Sequence, residues 1–341
     1  MSDPIKIVRT DMELECSQLD QALQAQGIEL VLVPDGISED DLVKETRDAN
    51  LILMCYTPIT ARVIAEAKSL KGIVKYGVGI DAIDIEAAKA RKIPVVNVPE
   101  YAEETVAEGA FALLISLAKK LRPLQKAMDE HGWVWPSSDW IASDLSGKTL
   151  GLVGMGRIGQ SMARMAGRGF NMRLLAYSPH TDAETLRERG AEKRDDLHEM
   201  LSECDFISIH AVLNPETHHL IDAACFDVMK PNAIFINAAR GAIVDEAALV
   251  EALSSGQIAG AGLDVFSQEP LALSDHQLSP LFDMDNVILT PHLTFYTQEA
   301  MERLEEDALA RCNEILQGKP VLIKSADPRL TGQEHGVIFP D

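Results

Sequence analysis

The sequence predicts an α/β protein with two doubly wound parallel sheets, and three observations carry that prediction. Short apolar runs alternate with helical patterns over roughly the first hundred residues. The same alternation resumes after residue 150. Between them, Gly154, Gly156 and Gly159 follow an apolar run in the G-x-G-x-x-G spacing. Strands and helices that alternate in this way are typical of parallel sheets covered by helices.

In the first part of the chain, five apolar runs predict buried strands. They are residues 5–8, 29–33, 51–55, 72–75 and 94–98. Helical patterns separate them at residues 14–26, 39–49, 61–67 and 85–90. Thr60 and Asp84 stand just before two of these helices, where a side-chain oxygen can cap the first N–H groups. This part of the chain therefore predicts one sheet with helices in its crossovers.

The glycine-rich segment 149–160 is the most specific local signal. The apolar run 150–153 predicts a strand, and a helical pattern begins behind the glycines. In this order Gly154 permits a tight turn, Gly156 allows close approach to a pyrophosphate, and Gly159 allows the helix to pack close to the sheet. The phosphates would bind the N–H groups at the start of the helix. The segment predicts a dinucleotide site, with a plain structural turn as the alternative.

A long helix is predicted over residues 102–121, before the glycine segment, and we expect Pro123 to interrupt it. Because its apolar face is too extensive for solvent, the helix is predicted to pack between domains or between subunits. That face includes Val106, Ala110, Leu113, Leu114 and Leu117.

The alternation after the glycine segment predicts five further strands and a final helix. The strands are residues 173–177, 206–210, 233–237, 260–265 and 287–290. The last helix, Gln298–Leu316, should end near Gly318 and Pro320. The polar tail 324–341 is predicted to lie across the surface or to be partly mobile.

Length, composition and charge limit the classes of protein to which the chain can belong. A chain of 341 residues can form about two domains, and no apolar run approaches the roughly 18 residues that span a bilayer. The N-terminal segment lacks the pattern of a signal peptide. Five scattered cysteines favour reduced thiols in the cytoplasm over disulfides or a zinc site. The net charge of −22 argues against nucleic acid as a partner and is consistent with solubility.

Three side chains that follow predicted strands point to chemistry. Ligands bind beyond the carboxyl ends of the strands in an open parallel sheet, which is where Arg240, Glu269 and His292 stand. Histidine can protonate a carbonyl oxygen near neutral pH, and a carboxylate on its other nitrogen favours the charged ring. Arginine matches a carboxylate with paired hydrogen bonds. The set fits hydride transfer to a 2-oxo acid, although each residue taken singly also fits an ion pair, a turn or a core position.

With these residues in view, the chain resembles the D-2-hydroxyacid dehydrogenase family, which includes glyoxylate/hydroxypyruvate reductases and 3-phosphoglycerate dehydrogenases. The matching segments run in the family's order and cover most of the chain. They are KYGVGIDAID (75–84), ETVAEGA (104–110), GLVGMGRIGQ (151–160), INAARGAIVDEAAL (236–249), AGLDVFSQEP (261–270) and TPH (290–292).

The resemblance implies a role for each of these residues. Arg240 would bind the carboxylate and carbonyl of the substrate, Glu269 would pair with His292, and His292 would be the acid/base. Backbone at Val78 and Gly79 would also hold the carboxylate. No metal is expected. The cofactor, NAD or NADP, would be lined by Thr105, Gly154, Gly156, Arg157, Ile158, Gly159, Ser178, Ala211, Ala238 and Asp264.

The resemblance also implies the domain organisation and the partners. A flavodoxin-like substrate domain of residues 1–100 plus 296–341 would contain an inserted Rossmann domain of residues 101–295. The long helix and the region of Trp133 and Trp135 would form a two-fold dimer interface. The partners would be a small 2-oxo or 2-hydroxy acid and a second copy of the chain, without nucleic acid or membrane.

Two departures from the family pattern bear on specificity. The acid expected after the second strand of the cofactor domain, which would bind ribose hydroxyls and repel a 2′-phosphate, is absent from YSPH (177–180). His180 is the only basic candidate there, so NAD and NADP are almost evenly favoured, with NAD ahead. After His292 the chain continues as LTFY (293–296), where small residues are common, so we expect a narrowed or reshaped substrate pocket.

Two other functions occur on a similar fold. Formate dehydrogenases share the fold but pair the histidine with glutamine, and Glu269 argues against them. An NAD(H)-sensing, co-repressor-like scaffold of the same fold is the alternative from a different class. The complete set of Arg240, Glu269 and His292 favours an enzyme over the scaffold. Which 2-oxo acid it reduces is left open.

Overall fold

The computed structural model of the protein describes residues 4–340. The chain divides into two compact units. One contains the described residues up to Ala102 and those from Thr297 onward, and the other is Glu103–Tyr296. None of the helices described in either unit is both long and apolar enough to cross a membrane.

The first unit holds a five-stranded parallel sheet. Numbered along the chain, its strands lie in the order 2-1-3-4-5, which is the flavodoxin-like order. The two strands at residues 51–54 and 72–75 are buried along their whole length, as expected of central strands in a parallel sheet. The strands are β1 (Lys6–Arg9), β2 (Glu29–Leu32), β3 (Leu51–Met54), β4 (Gly72–Lys75) and β5 (Val95–Asn97). The connecting helices are α1 (Ser17–Ala25), α2 (Glu39–Thr46), α3 (Ala61–Glu66) and α4 (Ile85–Ala90).

The two helix caps predicted in this unit are confirmed. The Thr60 hydroxyl accepts a hydrogen bond from the Val63 N–H at 3.3 Å. The Asp84 carboxylate accepts one from the Ala87 N–H at 2.9 Å. Each cap occupies one of the N–H groups that the first helical turn leaves without an intrahelical acceptor.

The second unit holds a seven-stranded parallel sheet in the order β12-β11-β10-β9-β6-β7-β8. These strands are β6 (Thr149–Val153), β7 (Arg173–Tyr177), β8 (Glu192–Lys193), β9 (Phe206–Ile209), β10 (Ile234–Asn237), β11 (Gly260–Leu263) and β12 (Val287–Leu289). The chain runs outward from β6 to β8 and returns to β9 on the other side of β6. This reversal creates the switch point at which such sheets bind ligands. The prediction of two doubly wound parallel sheets is confirmed.

Seven helices accompany this sheet within the described residues. They are α5 (Glu103–Ala118), α6 (Leu121–His131), α7 (Arg157–Arg164), α8 (Ala183–Glu188), α9 (Leu197–Glu203), α10 (Ala223–Val228) and α11 (Glu246–Ser254). A π-helical turn, Met165–Gly169, continues α7, and short 3₁₀ turns occur at Ser138–Trp140, Gly241–Ile243 and Ser279–Asp283.

The helix predicted over residues 102–121 is confirmed as α5, but it ends three residues early, and a second helix, α6, begins at Leu121. α5 ends at Ala118, and Lys120 takes a left-handed conformation with φ of 53°. Pro123 therefore does not interrupt a helix. It lies in the first turn of α6, where its missing N–H group would have no intrahelical acceptor.

The predicted packing of the long helix between domains or subunits is also corrected. The apolar face of α5 lies in the core of its own unit. Ala110, Leu113 and Leu114 form one buried cluster with the sheet residues Leu150 and Ile236. The hydrophobic face is therefore satisfied by helix-on-sheet packing.

The tail 324–340 lies largely on the surface, as predicted, but two buried side chains, Leu330 and Gln333, anchor it there. The C-terminal segment contains α12 (Gln298–Leu316), β13 (Val321–Leu322), α13 (Pro328–Thr331) and β14 (Val337–Ile338). Leu330 is fully buried. The buried Gln333 side chain accepts from the Val95 N–H at 2.7 Å and donates to the Val95 carbonyl at 2.8 Å. Its amide thus pairs with the backbone of β5. The final residue of the predicted tail, 341, lies outside the described residues.

Candidate active site

The glycine loop after β6 has a backbone that only glycine can adopt at its first position. Gly154 has φ of 95°, and a Cβ there would lie 2.7 Å from the Ala211 nitrogen and from the His210 carbonyl carbon. The Gly154 N–H donates to the Tyr177 carbonyl at 2.9 Å. The loop is therefore pressed against the ends of β7 and β9.

The other two glycines fit a dinucleotide phosphate in different ways. Gly156 precedes α7, and no heavy atom lies within 4 Å of where its Cβ would be. A Cβ on Gly159 would overlap the Gly154 carbonyl oxygen, so this glycine holds the loop and α7 together. The open face at Gly156 and the N–H groups at the start of α7 fit a pyrophosphate. These residues would hold the nucleotide phosphates.

Other residues predicted to line the cofactor lie along the same edge of the sheet. Ser178 and Ala238 directly follow β7 and β10, and Ala211 is the second residue after β9. Ile158 lies in the first turn of α7. Thr105 is buried in α5. The guanidinium of Arg157 pairs with Glu103 at 2.9 Å.

Asp264, predicted as a cofactor residue, holds the segment that carries the candidate histidine. It is fully buried after β11. Its carboxylate accepts from the Thr290 hydroxyl at 2.6 Å, the Leu293 N–H at 3.0 Å, and the N–H and hydroxyl of Thr294 at 3.1 and 2.6 Å. Four donors on one buried carboxylate fix residues 290–294 against the end of β11. Contact of Asp264 with the cofactor stays a prediction.

The structure brings His292 and Glu269 together. The His292 Nδ1 atom lies 2.8 Å from Glu269 Oε2, and the other Glu269 oxygen accepts from the Phe266 N–H at 2.9 Å. Partial burial raises the pKa of Glu269, but the hydrogen bond and charge of His292, the Phe266 N–H and the charge of Arg240 outweigh burial and leave that pKa below its ordinary value. The carboxylate is therefore ionised near neutral pH.

Arg240 belongs to the same site because its charge acts on Glu269. It follows β10 and is half-buried. Its Nη1 atom donates to the Ala239 carbonyl at 2.7 Å. The buried Asn237 holds this turn by donating to the Arg240 carbonyl at 2.9 Å and accepting from the Ala239 N–H at 3.0 Å. The turn that carries the guanidinium is thus held by hydrogen bonds.

The segments that carry Arg240 and Glu269 touch at Gly241. A Cβ on Gly241 would overlap the backbone at Phe266 and Ser267, so only glycine allows this approach. The contact joins the turn after β10 to the loop after β11. The spacing of Arg240 and Glu269 is therefore set by direct backbone packing.

Glu246 is a residue of this site that the sequence analysis missed. It lies in the first turn of α11 and is 5% exposed. Its carboxylate accepts from the N–H of Ser267 at 2.7 Å, from the Ser267 hydroxyl, and from the Gln277 side chain at 2.8 Å. It thereby holds the loop that carries Glu269. An acidic residue in a first helical turn is common, so the sequence offered no signal to single it out.

Val78 and Gly79, the predicted backbone contacts to the substrate carboxylate, belong to the first unit. They lie in the loop after β4. The Val78 carbonyl accepts from the buried Asn97 side chain at 2.6 Å, and Val78 is 39% exposed. Their contact with substrate stays a prediction.

The bulky residues after His292 divide into buried and exposed positions. Phe295 is 6% exposed, and its ring lies edge-on to the His292 ring with centroids 6.4 Å apart. Leu293 and Tyr296 are each 45% exposed. The expectation of a reshaped pocket therefore concerns Leu293 and Tyr296, while Phe295 supports the histidine from within the core.

Comparison with known proteins identifies relatives of this chain. Residues 111–294 match the family model of the NAD-binding domain of D-isomer specific 2-hydroxyacid dehydrogenases. Over 85% of its length the chain is 38% identical to D-3-phosphoglycerate dehydrogenase of Methanocaldococcus jannaschii, of which the alignment covers 54%. It is 40% identical to glyoxylate reductase of Pyrococcus furiosus, over 79% of this chain and 80% of that protein. The chain thus spans about half the length of that phosphoglycerate dehydrogenase.

A solved structure gives the same relationship in three dimensions. D-lactate dehydrogenase from Aquifex aeolicus, complexed with NAD and lactic acid, is 30% identical with a TM-score of 0.82. The match covers 96% of this chain and 98% of that one. The match therefore includes residues of both units.

Proposed function

The chain belongs to the family of D-isomer specific 2-hydroxyacid dehydrogenases, and on that premise we propose that it transfers a hydride between a nicotinamide cofactor and a D-2-hydroxy acid or its 2-oxo acid. The observation that carries the proposal is the His292–Glu269 pair, with 2.8 Å between Nδ1 and Oε2, beside the charge of Arg240. When bound, the nicotinamide supplies or accepts the hydride at the substrate's second carbon. The side chains supply the proton, the orientation and the anion binding.

In this proposal His292 is the acid/base. In the reducing direction it gives a proton to the carbonyl oxygen, which becomes the hydroxyl, and in the oxidising direction it takes that proton back. Because Nδ1 is bonded to Glu269, the transferred proton sits on Nε2. Glu269 is ionised near neutral pH because its pKa is lowered, and its carboxylate holds the ring through Nδ1.

Arg240 binds the substrate carboxylate in this proposal. A guanidinium carries five N–H donors in a planar fork that matches two carboxylate oxygens. The bond from Nη1 to the Ala239 carbonyl holds that fork in place.

A panel of 2-oxo acids tests the proposal. NADH and NADPH oxidation would be followed with glyoxylate, hydroxypyruvate, phosphohydroxypyruvate, pyruvate and longer 2-oxo acids. We expect turnover of at least one acid, with the D configuration wherever the product has a stereocentre, and loss of this turnover in His292→Asn. His335→Asn, at an exposed histidine of the C-terminal segment, is the matched control. Nucleotide binding without turnover of any acid would favour the co-repressor-like scaffold instead.

We extend the proposal to a homodimer. Exposed apolar side chains concentrate in one stretch of the second unit: Leu121, Trp133, Trp135 and Ile141 are 53, 66, 77 and 71% exposed. The rings of Trp133 and Trp135 pack edge-on with centroids 6.2 Å apart. Large exposed aromatic residues of this kind mark interaction surfaces, and in a homodimer the same patch serves both chains.

We also propose that the protein works in the cytoplasm. All five cysteines are free thiols and buried. Burial raises the pKa of the Cys16 and Cys312 thiols to about 12, so both stay protonated and unreactive near neutral pH. Free thiols suit a reducing compartment.

A further inference from the structure

Arg189 is a cation beside the glycine loop that the sequence analysis did not connect with it. It follows α8 directly and is half-buried. Its Nη1 atom donates to the carbonyl of Met155 at 2.8 Å. Met155 is the residue between Gly154 and Gly156, so the guanidinium lies against the loop proposed to hold the nucleotide phosphates.

The position of Arg189 is set by packing and is not that of a freely rotating surface side chain. Met155, Leu186 and Ala191 are at most 3% exposed and belong to one buried cluster. The Ala191 N–H donates to the Leu186 carbonyl at 2.9 Å, which closes the turn after α8. The end of α8 is therefore fixed next to the glycine loop.

The end of β7 also lies next to the glycine loop. The Gly154 N–H donates to the Tyr177 carbonyl, so Met155 and Ser178 each follow one partner of this bond. The Ser178 hydroxyl lies 3.0 Å from the Thr181 hydroxyl. In a dinucleotide-binding sheet, the adenosine ribose sits beyond the end of this strand. Two hydroxyls thus follow β7, where a carboxylate would normally bind NAD, and the Arg189 guanidinium contacts the glycine loop that pairs with the end of that strand.

The charges around this position favour an anion. Within residues 4–340, no carboxylate pairs with Arg189, whereas Arg187 on α8 pairs with Glu184 at 3.5 Å. His180, the basic residue named from sequence, lies 3.3 Å from the Glu216 carboxylate, and both side chains are largely exposed. Arg189 is therefore the better placed of the two cations to meet a phosphate.

We infer that Arg189 binds the 2′-phosphate of NADP(H), with the Ser178 and Thr181 hydroxyls as neutral hydrogen-bonding partners. A phosphate monoester needs a positive charge and several donors. The guanidinium has five N–H donors, of which one is bonded to Met155. The inference rests on the proposed function, and it makes the protein competent for NADP(H) as well as NAD(H).

The test compares two arginines at the same helix. Dissociation constants of NADPH and NADH would be measured by nucleotide fluorescence for wild type, Arg189→Leu and the control Arg187→Leu. Loss of a charge-assisted contact should weaken NADPH binding of Arg189→Leu by at least about tenfold. NADH binding should change by less than about twofold, and Arg187→Leu should match wild type. Calorimetric titration with 2′,5′-ADP and 5′-AMP would show the same contrast without a nicotinamide.

Two further variants keep the test decisive. Arg189→Lys retains the charge and should keep part of the NADPH affinity, so it serves if the leucine variant does not fold. Ser178→Asp places a carboxylate against the phosphate and should raise the NADH/NADPH ratio of kcat/KM by at least about tenfold. Equal losses of NADH and NADPH in Arg189→Leu, or no loss, would overturn the inference. Wild type that binds neither nucleotide would instead overturn the proposed function.

Discussion

At the scale of single residues, the backbone of His292 decides where its ring lies. His292 has φ of 56°, a left-handed conformation that residues other than glycine rarely adopt. The Thr290 carbonyl accepts from the His292 N–H at 3.0 Å, and Asp264 holds Thr290 on one side and Leu293 on the other. The surrounding hydrogen bonds impose this conformation, as is common where a functional side chain must be aimed.

Glu269→Gln should shift the pH profile more than it lowers the maximal rate. Reduction needs protonated His292, and the Glu269 carboxylate favours that form. Without the charge, the attraction between the carboxylate and an imidazolium is lost, so the basic limb of kcat/KM for reduction should move to lower pH. In wild type, ionisation of Glu269 should set an acid limit below the ordinary glutamate pKa, since its pKa is lowered. A basic limb at the wild-type pH would contradict the pair.

Arg240→Lys should lose far more activity than the same charge-conserving substitution at a surface arginine. Lysine keeps the positive charge but cannot form two parallel hydrogen bonds with a carboxylate. We expect kcat/KM for the best 2-oxo acid to fall by about 100-fold or more. Arg173→Lys, at an exposed arginine paired with Glu192 and Glu203, is the control. Activity of Arg240→Lys close to that of the control would remove Arg240 from the substrate site.

At the scale of elements, the candidate site consists of three segments that follow β10, β11 and β12. Gly241 packs against the backbone of the second segment, Glu246 holds that segment from α11, and Asp264 holds the third from the end of β11. Strands next to one another in a parallel sheet bring their carboxyl ends to one edge. Buried carboxylates then set the positions of the loops to within a hydrogen-bond length.

Glu246→Gln should lower kcat through the loop that carries Glu269. The amide replaces a charged acceptor of three hydrogen bonds with a neutral one, so the loop loses part of its restraint. We expect kcat to fall by about tenfold, with KM little changed, and the basic limb of the pH profile to move toward that of Glu269→Gln. Glu251→Gln, exposed on the same helix, is the control. Reduced thermal stability with unchanged kcat and pH profile would indicate a purely structural role.

Asp264→Asn should destabilise the second unit. The Asp264 carboxylate accepts from four donors in a fully buried position, and an amide nitrogen there would face donors instead of acceptors. The free energy of unfolding in urea should fall by about 1–3 kcal/mol. Asp285→Asn, at an exposed carboxylate paired with Lys126, should change it by less than about 1 kcal/mol. Equal stability of the two variants would contradict the anchoring role of Asp264.

At the scale of the whole molecule, surface charge and exposed apolar side chains have opposite effects on the association of chains. A net charge of −22 disfavours non-specific association of chains. The exposed tryptophans of residues 121–141 nevertheless form a local apolar surface. An association that occurs against this charge is expected to use that surface, since burial of aromatic area dominates the energetics of interfaces.

Replacing both tryptophans should separate the proposed dimer. Wild type should sediment as two chains of 37.3 kDa, and the double variant Trp133→Ser/Trp135→Ser as one. Leu273→Ser, at a leucine that is 75% exposed elsewhere in the same unit, should remain dimeric. Wild type that sediments as a single chain at micromolar concentration would contradict the dimer.

Much of the fold could be predicted because its signals are local. Apolar runs and helical periodicity determine each element, and the predicted bounds of α4 and β7 agree with the structure. The glycine loop and the three strand-end residues could be singled out for the same reason. Their spacing follows from the rule that parallel strands present their carboxyl ends at one edge.

The break between α5 and α6 and the anchoring of the tail could not be predicted in this way. Pro123 is compatible with either an interruption or a first helical turn, and the left-handed Lys120 decides between them. Gln333 binds the backbone of Val95, 238 residues earlier. Polar composition alone suggests an exposed tail. The anchoring partner, Val95, cannot be found from local sequence because it is distant along the chain.

The sequence by itself determined the class of fold and the glycine loop, and it singled out Arg240, Glu269 and His292 as candidates, since each depends on periodicity or on position at a strand end. Only the tertiary structure decided which polar groups support them. Glu246 reaches its loop and Arg189 reaches Met155 across 21 and 34 residues of chain. Neither contact has a local pattern, because hydrogen bonds between separate loops depend on the path of the chain in space and not on residue spacing.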